Sequence, residues 1–216
     1  AQLAQLYHKQ KFPIAIYKIF LTPFGERIPY VEKFPNLKEW IREKVGVDML
    51  FDLSAGGIPN RFSIPCTQIH QPQQTTITFA TPICFEDTVP SVVRELIWKN
   101  GMRKADSIIN LSNDGWFGSN DGARLQHVRE ARMRCIENRT PMVRAVNTGL
   151  SCLISEYGNV VKSNLPIRES GILPVRVFAG MGLPLSRYVG DSVAWFCLIG
   201  SILLIVCSFK RSEQQP

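Results

Sequence analysis

The stretch Thr76-Ile77-Thr78-Phe79-Ala80-Thr81-Pro82-Ile83-Cys84-Phe85-Glu86 decides the fold. Its first half is apolar and β-branched, the composition of a strand that fits a pleated, half-buried surface. Its second half turns at Pro82 and sets a thiol at the tip, with a carboxylate two residues on. Residues 76–83 therefore predict a strand delivering Cys84 to a turn. Downstream, Thr88 reads as a helix N-cap for residues 88–100, with Pro90 in the first turn and Asn100-Gly101 at the end. A strand at Ser107–Leu111 and the loop Ser112-Asn113-Asp114-Gly115-Trp116-Phe117-Gly118 come next. A long helix over 122–138 carries Val128, Ala131, Cys135 and Ile136 on one face. Strands follow at Met142–Val146, Ser151–Ser155 and Val160–Val161, the last after a turn at Tyr157-Gly158-Asn159. Strands alternating with helices predict an α/β layered domain.

Upstream of the nucleophile segment the pattern is thinner. Residues 1–16 show none and stay unassigned. Lys18 to Pro29 is turn-rich, with Pro23 and Gly25. A short amphipathic helix is expected over 34–45, around Leu37, Trp40 and Ile41. Residues 53–75 read as loops, with an extended piece at Arg61–Ile64.

The chain has 216 residues, 45% hydrophobic and 20% charged, which is globular rather than disordered. It suffices for one domain with a real core. Its net charge of +7 would suit an anionic membrane surface or nucleic acid. No Lys/Arg tract is interleaved with exposed aromatics, and the basic helix also carries Glu130 and Glu137, so no nucleic-acid partner is expected. Six cysteines include no CxxC pair, and His8, His70 and His127 form no ligand cluster. No metal or other cofactor is expected. Cys66, Cys135 and Cys152 read as buried free thiols, and Cys197 and Cys207 as small packing residues in an apolar segment. Residues 1–16 hold no secretory h-region, and the start at Ala1 is expected to mark a fragment or a processed product.

The carboxy-terminal stretch is of another kind. Residues 192–209 contain no charge. As a helix they would rise about 27 Å, close to the thickness of a bilayer's hydrocarbon. A transmembrane helix is expected there, flanked by Tyr188 and Trp195 at one end and Lys210-Arg211 at the other. The positive-inside tendency sets residues 210–216 in the cytoplasm and the preceding domain outside.

A thiol, an ammonium and a carboxylate suffice for acyl transfer through a thioester. The thiolate attacks a carbonyl, and a cation with a backbone N–H stabilises the oxyanion. Cys84 supplies the thiol. Lys18 and Glu26 stand in Lys18-Ile19-Phe20-Leu21-Thr22-Pro23-Phe24-Gly25-Glu26. Each residue alone has an ordinary structural reading: a core cysteine, a solvated lysine, a helix-start glutamate.

Together, in this order, these segments resemble the nitrilase, or carbon–nitrogen hydrolase, superfamily and its membrane branch of apolipoprotein N-acyltransferases. Lys18 with the following turn looks like the lysine segment. Ile83-Cys84-Phe85-Glu86 looks like the nucleophile segment, and Asn110 to Gly118 like the loop lining the site. Gln126-His127 through Arg134 to Glu137, with Pro141 and Arg144 to Gly149, looks like the next helix and strand. The resemblance covers roughly residues 17–209.

It implies an α-β-β-α sandwich over 17–180, truncated at the amino end, then the membrane helix. Cys84 would be the nucleophile, Lys18 the partner of the oxyanion, and Glu26 and Glu86 the supporting carboxylates. Phe85, Asn113, Trp116 and Phe117 would meet the substrate. The reaction would move an acyl chain from phospholipid to Cys84, then to the terminal amine of a diacylglyceryl-cysteine lipoprotein, at the periplasmic side of a bacterial inner membrane. A membrane-anchored amidase or a non-catalytic tethered module are the alternative readings. The resemblance also implies a base glutamate tens of residues before the lysine. No Asp or Glu precedes Glu26 here, so this polypeptide alone is expected to be nearly inactive.

Overall fold

The computed structural model describes residues 16–23, 25–27, 33–45, 53–57, 61–68, 71–163 and 165–212. The unassigned start, 1–15, lies outside them, as do Phe24, Pro29 and the end of the tail. Helix α1 (Pro35–Val45) is followed by an antiparallel hairpin, β1 (Arg61–Gln68) and β2 (Gln71–Ala80). Leu37 and Trp40 of α1 are exposed, and the Ile41 side chain lies outside the described residues. A short turn, Cys84–Thr88, leads to α2 (Pro90–Ile97).

That helix ends sooner than Asn100-Gly101 suggested. The chain instead makes β3 (Trp98–Lys99) and β4 (Met102–Arg103), joined by Asn100 at φ +52° and Gly101 at φ +72°. Two adjacent positive φ values define the tight hairpin turn that Asn-Gly favours. The dipeptide closes a hairpin, and the helix stops at the strand before it. Thr88 is likewise no cap: Val89 holds that position with Pro90 in the first turn, while the Thr88 hydroxyl donates to Phe85 O at 2.8 Å.

Then come β5 (Ser107–Ser112), a turn at Asp114–Phe117, α3 (Asp121–Asn138), β6 (Met142–Val146), β7 (Cys152–Ile154) and β8 (Val160–Lys162). Asn120 caps α3 by accepting from Ala123 N, as an amide side chain at that position should. A long strap leads to α4 (Ser186–Val189) and α5 (Ser192–Ser212).

Six strands form one sheet in the order β1-β2-β5-β6-β7-β8, with β2, β5 and β6 parallel. Register aligns Ala80, Ile108, Met142 and Ile154 in one row across the sheet. These pack with Val93, Leu96 and Ile97 of α2 and Val128, Ala131 and Cys135 of α3 to form the core. The next row, nearer the strand ends, is polar: Asn110, Arg144 and Cys152. Parallel strands thus deliver Cys84, Asp114 and Asn147 to one end of the sheet, where open α/β sheets place their sites.

On the opposite face Phe62 stacks on Phe79 with ring centres 5.2 Å apart, and Leu111 is half exposed. The expected second sheet of a four-layer sandwich is not present among the described residues, which hold this sheet and the small β3–β4 hairpin. The fold is α/β, with its described helices α2 and α3 on one face.

The stretch expected to span a membrane is indeed helical. Among the described residues, however, no helix is long and apolar enough to cross one. The uncharged part of α5 with described side chains, residues 192–208, rises about 26 Å, short of roughly 30 Å of hydrocarbon. Cys197 and Cys207 are exposed on it rather than packed. Cys135 and Cys152 are buried free thiols as expected, and burial raises the pKa of both, Cys152 to about 11. The Cys66 side chain lies outside the described residues. The helix is fastened to the domain by Arg94–Asp191 at 3.2 Å and by Arg187, which lies over Trp98 and Tyr188.

Candidate active site

Pro82 carries no N–H and its carbonyl accepts from Asn110 Nδ2 at 3.1 Å, which fixes the end of the β2 extension. Ile83 bridges Leu111. Cys84 then adopts φ +51°, a left-handed conformation costing an L-residue about 1–2 kcal/mol. Such strain persists only where surrounding bonds over-determine it. Glu86 supplies those bonds. It is fully buried; one carboxylate oxygen accepts from Ile83 N at 2.6 Å, the other from Ile19 N at 2.6 Å and Phe20 N at 2.8 Å. Burial raises the pKa of Glu86, and the three backbone donors oppose that rise. Glu86 thus staples the nucleophile turn to the lysine segment, aided by Phe20 against Phe85 with centroids 6.4 Å apart. It faces backbone rather than the cavity. Replacing Cys84 with Gly, which adopts positive φ without strain, is expected to hold or raise stability by up to about 1 kcal/mol in denaturant titrations while removing the thiol.

Lys18 is nearly buried, and its Nζ donates to Glu26 Oε2 at 2.5 Å and Thr22 Oγ1 at 2.9 Å. A tight turn makes this possible: Thr22 O accepts from Gly25, Glu26 and Arg27, while Thr22 N donates to the Glu26 carboxylate. Burial would raise the pKa of Glu26, but the Lys18 hydrogen bond, the Thr22 N–H and the Lys18 charge more than offset it and hold the carboxyl ionised. Glu26 therefore fixes the position of the Lys18 ammonium.

The Trp loop faces the turn. Cys84 Sγ lies 3.9 Å from Asn113 O. Asn113 Oδ1 accepts from Gly115 N and from Asn147 Nδ2, at 3.0 and 2.6 Å. Asn147 Oδ1 in turn accepts from Asp114 N. Trp116 is 62% exposed and Phe117 meets the His127 ring edge-on at 5.9 Å.

Beneath these loops is a group that sequence reading missed. His127 Nε2 is 2.7 Å from Asp87 Oδ1 and Nδ1 is 2.9 Å from Asp114 Oδ1. Arg144, fully buried, donates to Asp87 Oδ2 and to Asn110 Oδ1, and approaches Asp114 Oδ2 at 3.6 Å. Two carboxylates offer only acceptors, so both ring nitrogens of His127 must donate, and the ring is an imidazolium. Two positive and two negative charges then sum to zero. Burial would lower the pKa of His127; the hydrogen bonds to Asp114 and Asp87 and the charge of Asp87 outweigh it, and the value rises to about 9. Burial would raise Asp114, but His127 and Arg144 hold it below the usual carboxylate range. With both nitrogens occupied, His127 is no proton acceptor for Cys84.

The folded pKa of His127 lies above its unfolded value of about 6.5. Its stabilisation is therefore complete below pH about 6.5 and lost as pH rises through about 9. The loss is expected to be of order 3 kcal/mol, read as a falling denaturation midpoint between those pH values; His127→Gln should flatten that slope.

Cys84, Phe85, Glu26, Trp116, Phe117 and one face of α3 enclose a cavity of about 410 Å³. Asn113, Asp114, His127, Thr22 and Glu130 complete much of its wall. All four residues expected to meet substrate, Phe85, Asn113, Trp116 and Phe117, line it together with Cys84 and Glu26. Lys18 and Glu86 stand behind it. The described residues contain no group of three or more His, Cys, Asp or Glu arranged to hold a metal ion.

The profile of the carbon–nitrogen hydrolase family matches residues 50–178. The chain is similar to the apolipoprotein N-acyltransferase of Agrobacterium fabrum, 33% identical over 193 residues, covering 89% of this chain and 32% of that protein. The enzyme of the same name from Bradyrhizobium diazoefficiens is 34% identical over 195 residues, with 89% and 32% covered. That from Treponema denticola is 31% identical over 202 residues, with 91% and 34% covered. The chain thus spans about a third of the length of the curated relatives it matches. Among solved structures, a carbon–nitrogen hydrolase from Helicobacter pylori G27 shares 12% identity at a TM-score of 0.38, over 53% of this chain and 42% of that one. The chain belongs to the carbon–nitrogen hydrolase family.

Proposed function

We propose that this chain carries the thioester-forming centre of an N-acyltransferase that moves a fatty acyl group from phospholipid to the terminal amine of a diacylglyceryl-cysteine lipoprotein. The observation that supports it is Cys84 on its strained turn, in a largely apolar cavity beside the Lys18–Glu26 pair.

Cys84 Sγ bonds to the ester carbonyl carbon, and the carbonyl electrons collect on oxygen, where Lys18 and a backbone N–H offset the charge. Collapse breaks the C–O bond; the leaving alcohol keeps the electron pair and takes the proton originally on the thiol, as lysophospholipid. The acceptor amine then bonds to the thioester carbon, the C–S bond breaks, and the amine proton returns to sulfur through the base. Glu26 holds Lys18 in place, and Glu86 holds the segment to the turn. The family resemblance implies that the base is a glutamate before the lysine, a residue that this polypeptide does not contain.

Helix α5 presents Phe196, Leu203 and Leu204, all mostly exposed, and bears no charge from 192 to 209. Apolar surface of that extent is unfavourable in water. We assign it to the lipid of a bacterial inner membrane, with its apolar side chains among the acyl chains and Lys210 and Arg211 at the anionic headgroups. The chain is expected to stay in the membrane pellet after carbonate extraction, and Leu198→Arg/Ile202→Arg to release it. Release of the unaltered chain would count against the assignment.

The function is tested with phospholipid labelled in its acyl chain and the full-length protein. A hydroxylamine-sensitive label on Cys84 that passes to a diacylglyceryl lipopeptide amine, and is absent in Cys84→Ser, is expected. Label released as free fatty acid at a rate indifferent to the lipopeptide would favour an amidase-type hydrolase instead.

A further inference from the structure

We propose that Glu130 makes the cavity a binding site for a cationic amine head group carried on an apolar chain. Steps of three and four residues along α3 put Ala123, Gln126, His127 and Glu130 on one helix face, and all four line the cavity. Four charged side chains line it among the described residues: Glu26, Asp114, His127 and Glu130. Three are compensated. Glu26 pairs with Lys18 at 2.5 Å, and Asp114 and His127 belong to the neutral quartet with Asp87 and Arg144. The Glu130 carboxylate has an uncharged partner, the Gln126 amide at 2.9 Å. Arg134, one turn on, is nearly buried and turned to Thr88 O and the Glu137 carboxylate.

Among the described residues, the charges around the cavity therefore sum to minus one, and the surplus sits on Glu130. Phe85, Trp116, Phe117 and Ala123 supply apolar wall. A carboxylate beside such surface attracts a cation more strongly than it would in water, and repels the phosphate of an anionic lipid. An amphiphile with an ammonium head satisfies both features at once: its chain leaves water against the aromatic wall and its head neutralises Glu130. A neutral head of the same size satisfies only the first. The identity of this ligand as the acceptor amine rests on the proposed acyl transfer; the preference for an ammonium does not.

The test compares octylammonium and 1-octanol, titrated against the full chain in nonionic detergent and read through Trp116 fluorescence, with Trp116→Phe identifying the signal. The ammonium is expected to bind about tenfold tighter than the alcohol, the scale of one hydrogen bond to a charged group. Glu130→Gln should erase that difference without weakening the alcohol, and Glu130→Asp, which keeps the charge, should retain part of it. Equal affinities in the unaltered chain, or a preference that survives Glu130→Gln, overturn the inference. Labelling of Cys84 by phospholipid, scored separately on the full-length protein, reports on the acyl-transfer reading. Labelling without an ammonium preference removes only the Glu130 site, and a Glu130-dependent preference without labelling leaves the site while removing the reaction.

Discussion

Lys18→Met is expected to slow acylation of Cys84 by about 10²–10³-fold, the usual effect of removing one oxyanion donor. Lys18 is held by two bonds, to Glu26 and Thr22, so its ammonium is in place before substrate arrives and need not reorganise during reaction. Met has similar length and no charge. The measurement is the rate of acylation by an activated ester, followed by mass. A loss below about threefold would mean that Lys18 plays no part in stabilising the developing charge. Glu26→Gln should lose less, since the lysine remains charged but is less firmly oriented.

Arg144→Met is expected to destabilise the domain by about 3–5 kcal/mol, because it strands Asp87 and Asp114 in the interior with one imidazolium between them. A domain of ordinary stability has 5–15 kcal/mol in all, so the variant should melt far below the unaltered chain. Pairing it with Asp87→Asn removes one charge of each sign and should recover part of the loss, which a simple packing defect would not do. Denaturant titration of the single and double variants decides it. A loss under 1 kcal/mol for Arg144→Met would show that the quartet contributes no net stability.

These two residues differ in how readily the sequence reveals them. Lys18 and Glu26 are eight residues apart in one turn-rich segment, and local chemistry pairs them. Cys84, Phe85, Trp116 and Phe117 stand beside turns that end strands, and the order of elements sends parallel strand ends to one side. Strands β5 and β6 and the core face of α3 were legible for the same reason: period and flanking turns are local properties.

The quartet was not legible. His127 meets partners 13 and 40 positions away, and Arg144 meets Asp87 across 57. Spacing alone gave His127 no cluster to join, and the signal was only that Asp87 follows Glu86 directly. Glu86 looked like a carboxylate for Lys18 or substrate; its bonds go to backbone N–H groups that no side-chain pattern displays. Asn100-Gly101 was misread because it suits a helix end and a hairpin equally, and the strands beside it are two residues long. The exposed sheet face has no covering layer among the described residues, and no local pattern specifies what would meet it.

The most direct test is the site of acylation on the full-length protein. Incubated briefly with p-nitrophenyl octanoate at limiting concentration, the protein should take up one octanoyl group within the segment that this chain spans. Peptide mapping should place it on Cys84 in preference to the exposed Cys197 and Cys207, and Cys84→Ser should lose that fast phase. Labelling spread evenly over the exposed cysteines, with Cys84 no faster than the others, would contradict the assignment of Cys84 as the acyl-accepting nucleophile.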